Sequence, residues 1–360
     1  MATSKNLRRW VWVIVGTVVL GLIAYNLSQS PEWRGFQWER FWLSIRRARL
    51  GYLLAAVVVV YATYLVRAYR WKFFLDPIKR ASPWVMLVGQ ILGFSSIYLI
   101  GRPGELVRPA YIAKKEGVTF TAMMAVWLLE RVFDSVFLVL LFSLALSSLG
   151  AEQRTARGES VLAQMQTGGW ILLVLTLLMV VGLVAYRLHA EALRARLLHW
   201  FRFLPAKTLR TFEHFLQSFS EGLGVIRSWR SFLAGFASTA LLWILNASVF
   251  WLVFKSLGPG LEQLPWLAGA LALFCAALGL VVQIPGIGGG YQVGTILALT
   301  EIFNVSVELA TGAAILVWIV ISVPCLLLGV IFLVHEGLTF KKLTAIAEEE
   351  RAAGWEEAQP

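Results

Sequence analysis

Charged residues interrupt an otherwise apolar part of this sequence in the stretch YLIGRPGELVRPAYIAKKEG. Pro103 and Gly104 break a helix here, because proline has no backbone N–H and glycine favours helix ends. Glu105 and Arg108 follow three residues apart, so they would share one helix face. Guanidinium groups bind phosphate through paired hydrogen bonds, which makes Arg102 and Arg108 candidates for a phosphate-bearing headgroup. The alternative interpretation is an ordinary cytoplasmic loop of basic residues.

A second charged group lies in the stretch LLERVFDSV, within a long apolar segment. Glu130 and Asp134 are one helical turn apart, and Arg131 lies three residues before Asp134. Each ionisable side chain at the centre of a membrane costs about 2.5–3.5 kcal/mol on insertion scales. Three such residues together therefore indicate a paired network that faces the interior of a helix bundle. The alternative is that they lie near the cytoplasmic interface.

Two arginines end an early apolar segment in the stretch LVRAYRWKFFL. Arg67 and Arg70 could extend to the lipid headgroups, as long cationic side chains near helix ends often do. They could instead pair with the acidic residues of other segments. The sequence leaves both interpretations open.

A second helix break occurs in the stretch VVQIPGIGGGYQVG. Its Pro285-Gly286 pair matches the first break, and Tyr291 and Gln292 would supply uncharged hydrogen-bonding groups. The glycine spacing does not fit a dinucleotide-binding fingerprint, and no strand–helix–strand context surrounds it. Close packing or a flexible turn is the alternative to a functional site.

The composition identifies the elements that must position these residues. Of 360 residues, 58% are hydrophobic and only 15% are charged, whereas soluble domains carry about 25% charged residues. Apolar segments suited to membrane helices recur at 10–27, 50–66, 83–100, 122–149, 169–186, 231–254, 266–284 and 309–334. We therefore predict an all-α, polytopic membrane helical bundle.

The net charge of +11 favours contact with anionic lipid headgroups. Nucleic acid is excluded as a partner, because the basic residues lie in short loops between apolar segments. Cys275 and Cys325 are isolated in apolar segments, so we expect neither a disulfide framework nor a metal site. No cofactor motif is present, and we expect no cofactor.

The distribution of basic residues predicts the topology. Eight simple crossings would place the basic loop 187–230 outside, against the preference of basic loops for the cytoplasm. Treating 83–111 and 266–303 as re-entrant hairpins removes this conflict. The loop 28–49 remains an exception, because it would lie outside with Arg34, Arg40, Arg46, Arg47 and Arg49. About six full spans then accompany two hairpins that enter from opposite faces, as in an inverted repeat. Both termini would be cytoplasmic.

This topology predicts a single transmembrane domain over residues 1–335. Residues 187–230 would form a basic interfacial segment on the cytoplasmic surface, and 336–360 a cytoplasmic tail. Irregular backbone at membrane depth must line a cavity, because unpaired peptide groups facing lipid cost several kcal/mol each. The two breaks therefore indicate a functional site.

The residues of these motifs resemble the signature of the lysylphosphatidylglycerol synthase transmembrane-region family, whose flippase-like members include the membrane domain of the multiple peptide resistance factor. The resemblance covers roughly residues 50–334. It departs from the family pattern at Gln292, where a glutamate is common, which puts a proton- or cation-linked role there in doubt. The matching residues are Pro103, Gly104, Glu105 and Arg108; Glu130, Arg131 and Asp134; Arg67, Arg70 and Trp71; and 285–292.

The resemblance implies lipid handling in a bacterial or archaeal cytoplasmic membrane. The short stretch after Val334 leaves no room for a soluble aminoacyl-transferase domain, so we expect a translocase rather than an enzyme. The expected partners are membrane lipids with anionic headgroups and, in an oligomer, further copies of the chain. An intramembrane transferase using Glu130 or Asp134 as base, and a non-catalytic membrane scaffold, are the alternatives.

Overall fold

The structure, a computed structural model, describes residues 35–76, 78–147, 229–280, 283–284 and 288–337, together with parts of 167–217. The predicted span 10–27, the helix break at Pro285 and Gly286, and residues 338–360 lie outside the described part. Within the predicted span 169–186, the described positions are helical.

The prediction of an all-helical membrane bundle is confirmed. Apart from a short 3-10 helix at Arg102–Leu106 and a π-helical turn at Ala298–Ile302, the described elements are ten α-helices and one antiparallel pairing of β1 (Gln283–Ile284) with β2 (Gly288–Gly289). The helices are α1 (Trp38–Arg46), α2 (Leu50–Leu75), α3 (Pro83–Ile100), α4 (Val107–Glu116), α5 (Phe120–Ser147), α6 (Ala190–Trp200), α7 (Trp229–Ser256), α8 (Trp266–Gly279), α9 (Gly290–Leu297) and α10 (Val307–His335).

The first helix break turns the chain back on itself. Gly101 ends α3 with a φ of 76°, a conformation that glycine adopts readily. The 3-10 helix packs so closely on α3 that a Cβ at Gly104 would lie 2.4–2.6 Å from the backbone of Ser96 and Ile97. The following helix, α4, then runs antiparallel to α3. We call residues 83–116 the first hairpin.

The start and the end of the first hairpin lie together at one end of the bundle, and we call this part its base. The backbone N–H of Ser82, just before α3, donates to Oε1 of Glu116, at the end of α4, over 3.0 Å. Lys115 forms an ion pair with Glu336, at the end of α10, with Nζ and Oε2 2.6 Å apart. The segment predicted as a re-entrant hairpin thus begins and ends at the same end of the bundle.

A second hairpin is built from α8, the short β pairing and α9. The two helices approach so closely that a Cβ at Gly294 would lie 2.2 Å from the carbonyl oxygen of Cys275. The incoming helix ends at Gly279, five residues before the predicted limit of the apolar segment, because the chain leaves the helix to form the β pairing. We call residues 266–302 the second hairpin.

The second hairpin begins at the opposite end of the bundle from the first. Near its base, the backbone N–H of Arg49, at the start of α2, donates to the carbonyl of Ser256, at the end of α7, over 2.8 Å. Arg49 also pairs with Glu262, just before α8. Since α2 runs from this end towards the base of the first hairpin, the two hairpins enter the bundle from opposite ends.

Four of the described helices, α2, α3, α7 and α10, are long and apolar enough to cross a membrane. The 26 residues of α2 extend about 39 Å at 1.5 Å per residue, which exceeds the roughly 30 Å of the hydrocarbon core. Large apolar side chains such as Leu54, Val58 and Leu65 are exposed along α2, as expected for a surface that faces lipid.

The two ends of the bundle differ in charge. The end that holds the base of the first hairpin, which we call the basic end, carries more basic than acidic side chains in its described part. The other end has a smaller excess of basic groups, and there Arg49 pairs with Glu262. Its described charges are Arg40, Arg46, Arg47, Arg49 and Lys255 against Glu39, Glu262, Glu301 and Glu308. The basic end has Lys72, Lys79, Arg80, Lys114, Lys115 and Arg230 against Asp76, Glu116 and Glu336.

Candidate functional site

A cavity of about 230 Å³ lies between the two hairpins. Helices α2, α5, α7 and α10 complete its wall, so it is enclosed by protein from several sides. The first hairpin contributes Ile97, Tyr98, Glu105 and Arg108, and the second contributes Leu273, Ala277, Leu280 and Tyr291. This arrangement places the first helix break beside the cavity, together with Leu280 and Tyr291, which lie on either side of the second break.

Glu130 is the centre of a buried ion network behind this cavity. Its side chain is fully buried and accepts hydrogen bonds from three residues on two other elements. Arg108 donates from Nη2 to Oε2 over 2.6 Å and from Nη1 to Oε1 over 3.2 Å. Arg70 donates to Oε1, and the indole of Trp71 donates to Oε2 over 3.0 Å. Both carboxylate oxygens of Glu130 are therefore occupied.

Asp134 lies one helical turn further along α5 and reaches the cavity wall. Nη1 of Arg70 donates to its Oδ1 over 2.6 Å, and the indole of Trp243 donates to the same oxygen over 3.3 Å. Arg131 lies 3.5 Å from Oδ2 of Asp134 and 3.5 Å from Oε1 of Glu130. The one-turn spacing of the two carboxylates allows both to meet Arg70 from the same helix face.

Arg108 is held by an aromatic surface as well as by Glu130. Its guanidinium carbon lies 4.4 Å from the ring centre of Trp71 and 5.6 Å from that of Phe94. Its Nη1 also donates to Oε1 of the buried Gln90 over 2.8 Å. Arginine suits such a position because its planar group can stack on a ring and bond in its own plane at the same time.

Arg67 has a different environment from Arg70, although the two are three residues apart on α2. Its guanidinium lines the cavity and lies 4.7 Å from the ring centre of Phe94. Within the described part of the chain it forms neither a hydrogen bond nor an ion pair. Arg70, by contrast, is fully buried. Pairing with acidic residues, rather than extension to the headgroups, is therefore the interpretation that holds for Arg70.

The cavity has an excess of positive charge. Two carboxylates of the network, Glu130 and Asp134, are saturated by arginines, and Arg67 remains on the wall without a counterion in the described part. A half-buried charge without a counterion costs free energy, because part of its hydration is lost. A bound anion beside Arg67 would remove that cost.

The remaining predicted site residues have different positions. Glu105 and Tyr291 line the cavity, and Arg102 belongs to the 3-10 helix that contains Pro103 and Gly104. Oε1 of Gln292 accepts a hydrogen bond from the backbone N–H of Gly289 over 2.7 Å. That oxygen therefore caps the start of α9.

Several residues of the site were not predicted from the sequence. Gln90 holds Arg108, Trp243 holds Asp134, and the hydroxyl of Thr239 accepts from Arg70 over 3.2 Å. Trp71, which donates to Glu130, was named only through the family resemblance. One feature of the sequence could have identified some of these residues. The apolar segments 83–100 and 231–254 contain isolated polar residues such as Gln90 and Asn246. Trp243 carried no such signal, because tryptophan is common throughout this chain.

Comparison with known proteins gives one match. The family described as the lysylphosphatidylglycerol synthase TM region matches residues 10–329 of this chain. No curated protein and no solved structure matches. The match includes all the residues of the ion network and both hairpins.

Proposed function

The chain belongs to the lysylphosphatidylglycerol synthase transmembrane-region family of membrane proteins that handle lipids, and on that premise we propose that it is a lipid translocase. A phosphate-bearing headgroup would enter the cavity between the two hairpins while the lipid changes leaflet. Phospholipids, aminoacylated phospholipids and polyprenyl-linked lipids all carry such a group.

The observation that carries this proposal is the position of Arg67. Its guanidinium is directed at the cavity without an acidic partner in the described chain, next to the paired Arg108 and Arg131. Guanidinium groups form strong, charge-assisted hydrogen bonds to phosphate. The paired arginines add a positive field, and the protein walls keep that field from being screened by bulk water.

The two hairpins supply a physical reason for translocation rather than simple binding. They enter from opposite ends and meet at the cavity, so a movement of either hairpin would open the cavity towards its own end. Opposed hairpins around a central site are a known arrangement for alternating access. The chain has no nucleotide-binding motif, so we propose that a gradient or the consumption of the lipid drives transport.

The charge difference between the two ends supports an orientation. We propose that the basic end faces the cytoplasm of a bacterium or archaeon, since basic residues accumulate on the cytoplasmic side. Both termini would then be cytoplasmic. The first hairpin would enter from the cytoplasm and the second from outside.

The geometry of Glu130 favours transport over transferase chemistry. A general base needs an oxygen that can accept the substrate's proton, and both oxygens of Glu130 already accept hydrogen bonds. A transferase would form a new product from a lipid and a cytosolic donor. A non-catalytic scaffold would tolerate loss of Arg67.

Reconstitution into liposomes tests these possibilities. Purified protein should move fluorescent phospholipids between leaflets faster than protein-free liposomes do. Arg67→Gln should slow this movement roughly ten- to a hundredfold, the factor expected for a lost hydrogen bond to a charged group. Arg47→Gln is the matched control, because Arg47 is exposed at the other end of the bundle.

The outcomes separate the three functions. Movement that depends on Arg67 but not on Arg47 supports translocation. A chemically altered lipid, formed only with a cytosolic extract, would indicate a transferase. The proposal would be contradicted if the protein moved neither phospholipids nor polyprenyl phosphates and if Arg67→Gln left the affinity for these lipids unchanged.

A further inference from the structure

Helix α1 packs against the start of α10, at the opposite end of the bundle from the basic end. Its face towards the protein contains Phe41, which is buried, and Ser44, whose Oγ would lie 3.1 Å from a Cβ at Gly312 of α10. The backbone N–H of Gln37, just before α1, donates to Oε1 of Glu308 over 3.0 Å. The first two turns of α10 therefore fix the position of α1.

A different face of α1 carries two tryptophans and an arginine that are exposed. Trp38, Trp42 and Arg46 are spaced four residues apart, so they form one row along the helix. The two indoles are 66% and 53% exposed, and Arg46 is exposed as well. At about 100° per residue, Arg40 and Arg47 lie roughly 140–160° away from Trp42 around the helix axis. The helix thus has an aromatic row on one side and basic side chains on the opposite side.

The depth of this row follows from the length of α10. Its 29 residues extend about 43 Å, roughly 13 Å more than the hydrocarbon core of a bilayer. The charged side chains at its two ends, Glu308 and Glu336, require that both ends leave the hydrocarbon, so each end extends about 6–7 Å beyond it. Gly312 lies about 7.5 Å along the helix from Val307. The contact with α1 is therefore at the boundary between acyl chains and headgroups.

The side chains of the row match the chemistry of that boundary. Tryptophan is enriched at membrane interfaces, where its ring lies at the level of the headgroups and its indole N–H can donate a hydrogen bond. A guanidinium group forms charge-assisted hydrogen bonds to phosphate, and its long side chain can reach the headgroups from a position below them. Lipid esters and phosphates supply the acceptors that two indoles and one guanidinium require.

From these positions we infer that α1 is an interfacial helix whose row of Trp38, Trp42 and Arg46 binds phospholipid headgroups in the leaflet at this end of the bundle. The indoles lie at the level of the glycerol esters, and Arg46 pairs with a lipid phosphate. The row is a surface separate from the cavity, so the inference does not depend on the ligand that the cavity takes.

Headgroup binding by α1 also accounts for the exception in the predicted topology. The loop 28–49 carries five arginines on the side predicted to be outside, against the preference of basic loops for the cytoplasm. A lipid phosphate neutralises Arg46 there, and Glu262 neutralises Arg49. Because Glu262 lies just before α8, α1 also holds the base of the second hairpin at the membrane surface.

Fluorescent labels on α1 test the inference in the full chain, reconstituted into liposomes of phosphatidylglycerol and phosphatidylcholine. A label on Trp42→Cys should be quenched by lipids that are spin-labelled near the glycerol, about threefold or more strongly than the same label on Arg47→Cys. Aqueous iodide should quench the two labels in the reverse order, because Arg47 is on the opposite side of the helix. The native Cys275 and Cys325 are buried and should take up little label.

Two results of this experiment would overturn the inference. Stronger quenching of the label at position 42 by iodide than by spin-labelled lipid would place the row in water. Protection of this label from both quenchers would mean that protein, such as a second copy of the chain, covers the row.

A second measurement needs no label. The double variant Trp38→Ala, Trp42→Ala should speed hydrogen exchange of the α1 amides in liposomes about tenfold or more, because so short a helix opens readily without an anchor. Arg40→Gln, on the opposite side of the helix, should keep the wild-type rate. A double variant that exchanges at the wild-type rate would show that the row does not bind the membrane.

Discussion

Arg108 and Glu130 form a two-bonded ion pair between the returning limb of the first hairpin and helix α5. The same carboxylate also receives Arg70 from α2. One buried glutamate therefore joins three elements at the wall of the cavity. Such a junction can hold the hairpin in place. Its charges can also determine the electrostatic field in the cavity that a headgroup would enter.

Replacing Glu130 with Gln should destabilise the protein strongly. The change would leave Arg70 paired with Asp134 alone and Arg108 buried without a carboxylate partner in the described chain. Removing one member of a buried ion pair typically costs about 3–5 kcal/mol. Thermal unfolding in detergent should show a large decrease in the midpoint.

The control for this change is Glu262→Gln. Glu262 pairs with Arg49 at the surface, where the two side chains keep 34% and 51% of their exposure. Surface pairs contribute about 0–1 kcal/mol, so this variant should unfold close to the wild type. Equal midpoints for Glu130→Gln and Glu262→Gln would show that the network adds no net stability.

The existence of this network was predictable, whereas its connections were not. Glu130, Arg131 and Asp134 stood out because ionisable groups are expensive in an apolar segment. The sequence could not distinguish Arg67 from Arg70, since their roles depend on how α2 is rotated against α5. That rotation follows from packing around residues such as Phe74 and Phe133, which have no local sequence signature.

Replacing Gly104 with Ala should disturb the turn of the first hairpin. The added Cβ would lie 2.4–2.6 Å from backbone atoms of Ser96 and Ile97, so the 3-10 helix would have to move away from α3. Overpacking of this kind costs about 1–3 kcal/mol. The unfolding midpoint should decrease, together with binding of any ligand that contacts Arg108.

Gly51→Ala is the matched control for this substitution. Gly51 lies in α2, and a Cβ there would have no neighbour within 4 Å. Alanine favours helix by up to about 1 kcal/mol over glycine, so this variant should be neutral or slightly more stable. A Gly104→Ala protein that behaves like Gly51→Ala would contradict the close packing of the turn.

The prediction of two hairpins rested on helix breaks and loop charge rather than on the cost of ionisable groups in an apolar segment. The pair Pro103-Gly104 predicted the first break, and the distribution of basic loops predicted two hairpins with opposed directions. The end of α8 was not predicted, because the apolar segment continues through Gln283–Ile284 into a β pairing that hydropathy cannot distinguish from helix.

The ion pair between Lys115 and Glu336 should make stability depend on pH. The hydrogen bond from Lys115 is the main cause that lowers the pKa of Glu336, and the hydroxyl of Tyr111 adds to it. A lowered pKa in the folded state stabilises the protein above the unfolded pKa of about 4.3. This contribution is lost as the pH falls through the lower, folded pKa.

Comparing the wild type with Glu336→Gln at several pH values measures this effect. At pH 7 the variant should be less stable by no more than about 1 kcal/mol, because Lys115 is largely exposed. The difference should shrink as the pH falls below about 4.3. A difference that stays constant from pH 7 to acid would show that Glu336 acts through packing rather than through its charge.

Cysteine labelling should show that Arg80 and Lys114 lie on the same side of the membrane. Helix α3 between them is long and apolar enough to cross, and a crossing would put the two residues on opposite sides. The contact of Ser82 with Glu116 instead returns the chain to its starting end.

In intact cells, Arg80→Cys and Lys114→Cys should both resist a membrane-impermeant maleimide, whereas Arg47→Cys should react. The native Cys275 and Cys325 are buried and should add little background. Labelling of Lys114→Cys from outside, with Arg80→Cys protected, would mean that the first hairpin is a full span.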